Sequence, residues 1–254
     1  MQTQSIIKTA LVTGAGRRIG NAIARDLATD GWAIAIHCHT SHAEAQTLAT
    51  EIKQAGGKAA VVIADLADLG NIDRLMAESN DALGPINLLI NSASMFEPDD
   101  IGELDMALWR QQLDVNLSAP VLLADAFVRQ LPNAGNIINI LDQRVWRLTP
   151  KFTSYTIAKS ALWTATQTMA QALAPKIRVN AIGPGPALPN TRQSQGDFDA
   201  QTAHLLLGKG PQLWEFTAAI KFLVAMPSIT GQMIALDGGQ HLAWQTPDVT
   251  GMME

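Results

Sequence analysis

Tyr155 is the only tyrosine in 254 residues, and Lys159 follows it by four positions in Tyr155-Thr156-Ile157-Ala158-Lys159. At 3.6 residues per turn, the two side chains share one face of a helix. An ammonium beside a phenol favours the phenolate and lowers a pKa that is ordinarily about 10, which suits the phenol to proton donation. Near the N-terminus stands a second motif, Thr13-Gly14-Ala15-Gly16-Arg17-Arg18-Ile19-Gly20. It is a glycine-rich turn between an apolar strand and a helix. Glycines let a backbone approach a pyrophosphate, which the free N–H groups and dipole of a helix N-terminus attract. Any tight βα turn also needs glycine. The place of this turn, in the first βα unit of an alternating chain, is what points to a dinucleotide. In this order the two motifs read as a nicotinamide-dependent reductase.

The second strand ends His37-Cys38-His39-Thr40-Ser41. A site for the unphosphorylated dinucleotide would carry Asp or Glu here, on the ribose 2′-hydroxyl. The first acid is Glu44, already inside the next helix. His39, Thr40, Ser41 and Arg17 therefore favour a 2′-phosphate, and with it NADPH. Two arginines at a helix start are electrostatically unfavourable unless something anionic lies nearby. His37, His39 and His42 could instead hold a metal, although no carboxylate or cysteine cluster completes such a site. Asp65 and Leu66 follow the third strand; the Asp65 carboxylate could accept from an adenine amino group or simply form a turn. Asn91, Ser92 and Ala93 end the fourth strand, where small residues leave room for a cofactor or merely pack a loop.

These motifs need a frame. Brief apolar runs at Ala10–Val12, Ala33–His37, Ala59–Ala64, Leu88–Asn91, Asn136–Leu141, Ile177–Ile182 and Met233–Leu236 read as strands buried on both faces. Helices are expected at Gly20–Asp30, Ala43–Ala55, Asn71–Leu83, Met106–Gln130, Thr153–Leu173 and Leu213–Ala225. Such alternation implies a single α/β domain over residues 1–254, a doubly wound parallel sheet of about seven strands with helices on both faces. The long irregular stretch 183–211 holds Pro184, Pro186, Pro189 and Pro211. It reads as a flap over a substrate, or as a solvated loop with a short helix near Gln201–Leu207.

Composition narrows the function classes. A net charge of −5 with no basic tract argues against nucleic acid. No apolar run approaches the roughly 18 residues of a membrane span. Ile6-Ile7 leads straight into Lys8 and a strand, unlike a signal peptide. A lone cysteine, Cys38, excludes an intrachain disulfide and fits a reducing cytoplasm.

Thr13-Gly14…Gly20, Asn91-Ser92-Ala93, Asn116, Tyr155-x-x-x-Lys159, Pro184-Gly185 and Asp237-Gly238-Gly239 occur in an order that resembles the short-chain dehydrogenase/reductase family along nearly the whole chain. That resemblance implies a seven-stranded Rossmann-type sheet, usually in a homotetramer, a hydride from nicotinamide and a proton from the tyrosine. It also implies cofactor contacts from Pro184 and Gly185. Two departures stand out. Arg18 occupies a usual glycine position, and Asp142, thirteen residues before Tyr155, takes the place of the family's catalytic serine. With Ser94-Met95-Phe96 and His37-x-His39-x-Ser41, these departures look like the pteridine reductases, in particular their bacterial dihydromonapterin or dihydrofolate reductase-like branch. Thr40 stands where a basic residue is common in that group.

The implied chemistry is reduction of a pterin C=N bond. Tyr155 would donate the proton and Lys159 would lower its pKa. Asp142 could orient a water or the substrate amine, relay protons, or only cap a helix. An ionised carboxylate accepts hydrogen bonds and donates none, so it suits a substrate that presents N–H groups, as a pterin does and a ketone does not. Phe96 could stack on a flat ring or be a loop residue. Arg18 and Ser94 would meet the substrate edge. Asn116, inside a helix, could bend it and hold a water that feeds Lys159. Trp146 and Arg147 follow Asp142 and could line the pocket. The rival readings are a carbonyl reductase acting on a ketone, sugar or acyl thioester, and an idle NADP(H)-binding sensor. The C-terminal segment Gln240–Glu254, with Trp244, is expected to pack on a neighbouring subunit.

Overall fold

The computed structural model describes residues 8–246; the expectations for Ile6-Ile7 and for the chain beyond residue 246 lie outside them. Seven strands form one parallel sheet: β1 (Thr9–Val12), β2 (Ala33–Cys38), β3 (Ala59–Ile63), β4 (Leu88–Asn91), β5 (Gly135–Ile140), β6 (Ile177–Pro184) and β7 (Met233–Leu236), in the order β3-β2-β1-β4-β5-β6-β7. All four residues of β1 and all six of β2 are buried, because helices cover both faces of the sheet.

Side chains alternate between two cores, as the strand period of two demands. Ala10 and Val12 pack with Ile23 and Leu27 of α1 (Arg18–Thr29), Leu48 of α2 (His42–Gln54) and Ile220 of α8 (Leu213–Ala225). Leu11 points the other way, toward Leu75 of α3 (Ile72–Leu83), Phe127 of α5 (Ala119–Gln130) and Ala170 of α6 (Thr153–Leu173). The order reverses between β1 and β4, and at such a switch point ligands bind beyond the carboxyl ends of the strands. Gly14, Ser92, Asp142 and Pro184 all lie at or just beyond those ends.

Two expected elements differ. The helix expected over Met106–Gln130 is α4 (Met106–Leu113), a wider π-helical turn (Asp114–Ser118) and α5. Pro120 sits in the first turn of α5 and has no N–H to continue a regular ladder back to residue 116, so the chain widens there. Within 183–211 the helix is α7 (Gln195–Ala203), not Gln201–Leu207. Its start is fixed by the Ser194 side chain, which accepts from the Asp197 N–H at 3.1 Å. No α7 residue is buried, so α7 lacks the apolar period that would have shown it in the sequence.

Candidate active site

A cavity of about 640 Å³ opens at the carboxyl ends of the strands. Tyr155 lies in the first turn of α6. That turn is anchored by Asp99, whose carboxylate oxygens accept from the Ser154 N–H at 3.2 and 3.1 Å. Asp142 follows β5 and caps the short 3-10 turn Gln143–Val145. Its Oδ1 accepts from the Arg144 N–H at 2.8 Å, and its Oδ2 accepts from the Tyr155 hydroxyl at 2.9 Å. Asp142 thus caps a turn with one oxygen and holds the phenol with the other. Lys159, one helical turn below, is buried and donates from Nζ to the Ile140 carbonyl at 2.9 Å.

Electrostatics here correct one expectation. Burial, then the Asp142 carboxylate, push the Tyr155 phenol well above its ordinary value, while Arg144 and Ser94 oppose that rise. No lowering by Lys159 is found. Its Nζ is turned to the Ile140 carbonyl and lies 5.7 Å from the Tyr155 ring centroid. Burial brings Lys159 itself down to about 8, with Asp142 pulling the other way. Burial also raises Asp142, against Arg144 foremost and then the bonds from the Arg144 N–H and Tyr155.

The dinucleotide side is built from β1, β2 and β4. Gly14 has φ +64, and a Cβ there would lie 2.8 Å from the Ala93 Cα, so turn and β4 loop touch backbone to backbone. Thr13 Oγ1 accepts from the N–H groups of Ser92 and Ala93 at 2.9 and 3.0 Å. His37 Nδ1 accepts from the Gly14 N–H at 3.1 Å, and Nε2 donates to the Ala64 carbonyl at 3.1 Å. Burial lowers His37 to about 4, so the imidazole is neutral and locked in one tautomer. At the start of α1 no side chain caps the helix and no acid occupies the first turn. The first N–H groups of a helix have no intrahelical partner, and Arg18, Ile19 and Gly20 line the cavity. That uncapped, acid-free helix end fits a pyrophosphate. His39, Thr40 and Ser41 line the same cavity beyond it, as do Asp65, Leu66, Ser92, Ala93, Pro184 and Gly185.

Several of the expected side chains are engaged within the protein, some of them away from the cavity. Asn91 does not line the cavity: its Nδ2 donates to Asn139 Oδ1 at 2.8 Å, and Asn139 Nδ2 donates to Thr166 Oγ1 at 2.9 Å, a buried chain beneath the site. Asn116 lies at the π-helical turn, where the helix bends, and its amide is engaged with the β4 loop and not with Lys159. Its Oδ1 accepts from Ser94 Oγ at 2.8 Å and from the Met95 N–H at 3.1 Å, and its Nδ2 donates to the Met95 carbonyl at 2.8 Å, fixing the β4 loop. Arg17 is ion-paired with Glu44 at 2.6 Å. Arg18, at φ +56, donates to the carbonyls of Pro189 at 2.8 Å and Leu188 at 3.3 Å and so ties down the 183–211 segment. Asp65 already accepts from the Ala67 N–H at 2.9 Å, a turn contact. Phe96 stacks on Phe152, with ring centroids 4.2 Å apart, and meets Tyr155 edge-on at 4.7 Å. Trp146 is exposed and packs on Trp163 and His241, while Arg147 donates to the Gln240 carbonyl; neither lines this cavity. Among the described residues no three His, Cys, Asp or Glu side chains gather as metal ligands.

Two contributors escaped the sequence reading. His37, a metal-ligand alternative and part of the His37-x-His39-x-Ser41 resemblance in the sequence, is a fixed buried imidazole near the end of β2. Arg144 was passed over, although it stands two residues from Asp142 and lines the cavity.

A parallel sheet in this order, with an open glycine turn at its switch point and a buried Tyr-x-x-x-Lys beside it, defines a nucleotide-dependent dehydrogenase or reductase fold. The chain belongs to the short-chain dehydrogenase family, whose model matches residues 8–200. Among solved structures, FolM alternative dihydrofolate reductase 1 from Brucella suis, in complex with NADP, is 52% identical with a TM-score of 0.94, covering 96% of this chain and 98% of that one. Pteridine reductase 1 of Leishmania tarentolae is 28% identical over 288 residues, covering 95% of this chain and 99% of that protein. A 3-oxoacyl-[acyl-carrier-protein] reductase of Synechocystis sp. is 29% identical over 238 residues, covering 91% and 96%.

Proposed function

We propose that this protein is an NADPH-dependent reductase of 7,8-dihydropterins, giving the tetrahydro form. The observation that carries the reading is the 2.9 Å bond from the Tyr155 hydroxyl to Asp142 beside the Phe96 ring. A carboxylate in that place accepts N–H groups and offers a ketone oxygen no donor. The similarity to FolM and to pteridine reductase 1 supports the same choice.

Bound NADPH would supply the hydride to the carbon of the C=N bond. Gly14, Arg18 and Ile19 would hold its pyrophosphate, and His39, Thr40 and Ser41 its 2′-phosphate. Tyr155, raised above its ordinary pKa, keeps its proton at neutral pH and delivers it to the substrate nitrogen. Negative charge left on the Tyr155–Asp142 pair is offset by the Lys159 ammonium and the Arg144 guanidinium. Arg18, through Leu188 and Pro189, holds the 183–211 segment at the edge of the cavity. The exposed apolar side chains of Trp214, Leu242 and Trp244 suit an interface between copies of the chain; the family's usual homotetramer is the assembly proposed, which sedimentation would check.

The test is NADPH oxidation measured in parallel with dihydropterins, dihydrofolate, ketones and acyl thioesters. Turnover with the pterins is expected, and Tyr155→Phe should lose it while still binding NADPH. Turnover confined to carbonyls would establish the rival suggested by the 3-oxoacyl reductase similarity. Tight NADPH binding with no turnover would establish a sensor.

A further inference from the structure

Three arginines line the cavity and a fourth, Arg192, binds two of its lining residues; three of these four are engaged. Arg17 pairs with Glu44, Arg18 with the Leu188 and Pro189 carbonyls, and Arg192 with Glu97 at 2.8 Å and the Phe96 carbonyl at 2.7 Å. The guanidinium of Arg144 has no hydrogen bond or ion pair among the described residues, although it is half-buried and lines the cavity. It is not loose. Its Cζ lies 5.0 Å from the Phe96 centroid and 5.3 Å from that of Phe152, against the stacked pair whose first ring touches Tyr155. Phe152 is held there at φ +57, a strained backbone for a bulky residue. A cation oriented by two rings yet with open donors is set to receive an acceptor from outside the chain.

Asp142 and Arg144 rise from one short turn, whose geometry the Arg144 N–H fixes by donating to Asp142 Oδ1. An ionised carboxylate only accepts, and a guanidinium only donates. Side by side they match an edge that carries N–H donors next to a carbonyl oxygen, which a 2-amino-4-oxo pyrimidine ring has. A simple ketone presents the acceptor alone. Resting on the functional reading above, we propose that Arg144 sets substrate specificity by donating to the oxo oxygen of an aminopyrimidinone ring while Asp142 takes the ring's N–H groups. Proton delivery remains with Tyr155. The charge of Arg144 also opposes the upward push of burial on Asp142, the acceptor half of the pair.

The test compares competitive inhibition by 2-amino-4-oxopteridine and by 2,4-diaminopteridine, which replaces the oxo group with an amine. Arg144→Gln should weaken the oxo ligand by about tenfold or more, since a site built to bond one group discriminates by losing that bond. The diamino ligand should change by less than about threefold, and NADPH affinity should stay constant. Arg144→Lys, which keeps the charge without the fork, should restore part of the loss. Equal weakening of both ligands would show a structural role and overturn the inference, as would no change in either. If the unsubstituted protein reduces dihydropterins, such results refute the inference alone. If it neither binds nor reduces any pterin, the functional reading falls and takes the inference with it.

Discussion

Acid should unfasten the glycine turn through His37. The ring is 2% exposed, accepts from Gly14 at Nδ1 and donates to Ala64 at Nε2. A second proton on Nδ1 would face the Gly14 N–H donor to donor. Burial, which makes the charged ring costly, brings the folded imidazole to about 4, against 6.5 when unfolded. As pH falls below 6.5 the unfolded chain gains the proton first, so stability is lost until the folded form also protonates near 4. Each pKa unit is worth about 1.4 kcal/mol, so the loss over that window is about 3 kcal/mol. Urea unfolding followed by tryptophan fluorescence between pH 7 and 4.5 measures it. His37→Gln should be less stable at pH 7, by about 1–3 kcal/mol for the disturbed bonds. The gap to the unsubstituted protein should then shrink steadily toward pH 4.5. Parallel stability curves for the two proteins would refute the reasoning, as would a His37 resonance titrating near 6.5.

Two further outcomes follow from the same geometry. Lys159 is lowered from 10.5 to about 8, so its contribution to stability is fully present above 10.5 and is lost as pH falls toward 8, about 3 kcal/mol in all; Lys159→Met should abolish that rise between pH 8 and 10.5 in the same unfolding assay. Gly14→Ala would place a Cβ 2.8 Å from the Ala93 Cα at φ +64. It should cost at least about 2 kcal/mol of stability and weaken NADPH binding in a fluorescence titration, whereas near-neutral behaviour would show that turn and loop do not touch.

The sheet was legible because the strands are short, mostly apolar runs bounded by glycine, proline or polar residues, and β1 and β2 are buried on both faces. What escaped was local. Pro120 is visible in the sequence, but only the placed backbone shows it widening the helix at Asp114–Ser118. In α7 no residue is buried, so hydrophobic spacing could not locate it. Within the site, residue types and separations indicated Tyr155, Lys159 and Asp142, and the structure brings them together. Side-chain direction was not readable. Asn91 and Asn116 turn into internal hydrogen bonds, Arg18 reaches loop carbonyls 170 residues away, and Lys159 faces Ile140. These choices depend on which carbonyl or amide lies nearest after folding, and sequence spacing carries no such information.

The most direct measurement uses NADPH deuterated at nicotinamide C4, on the transferred face, with a 7,8-dihydropterin and the unsubstituted protein. Mass spectrometry of the pterin product should show one deuterium carried on ring carbon in the tetrahydro form, and no product from Tyr155→Phe. An unlabelled pterin, with deuterium appearing only in an alcohol when a ketone or acyl thioester is supplied, would contradict the account.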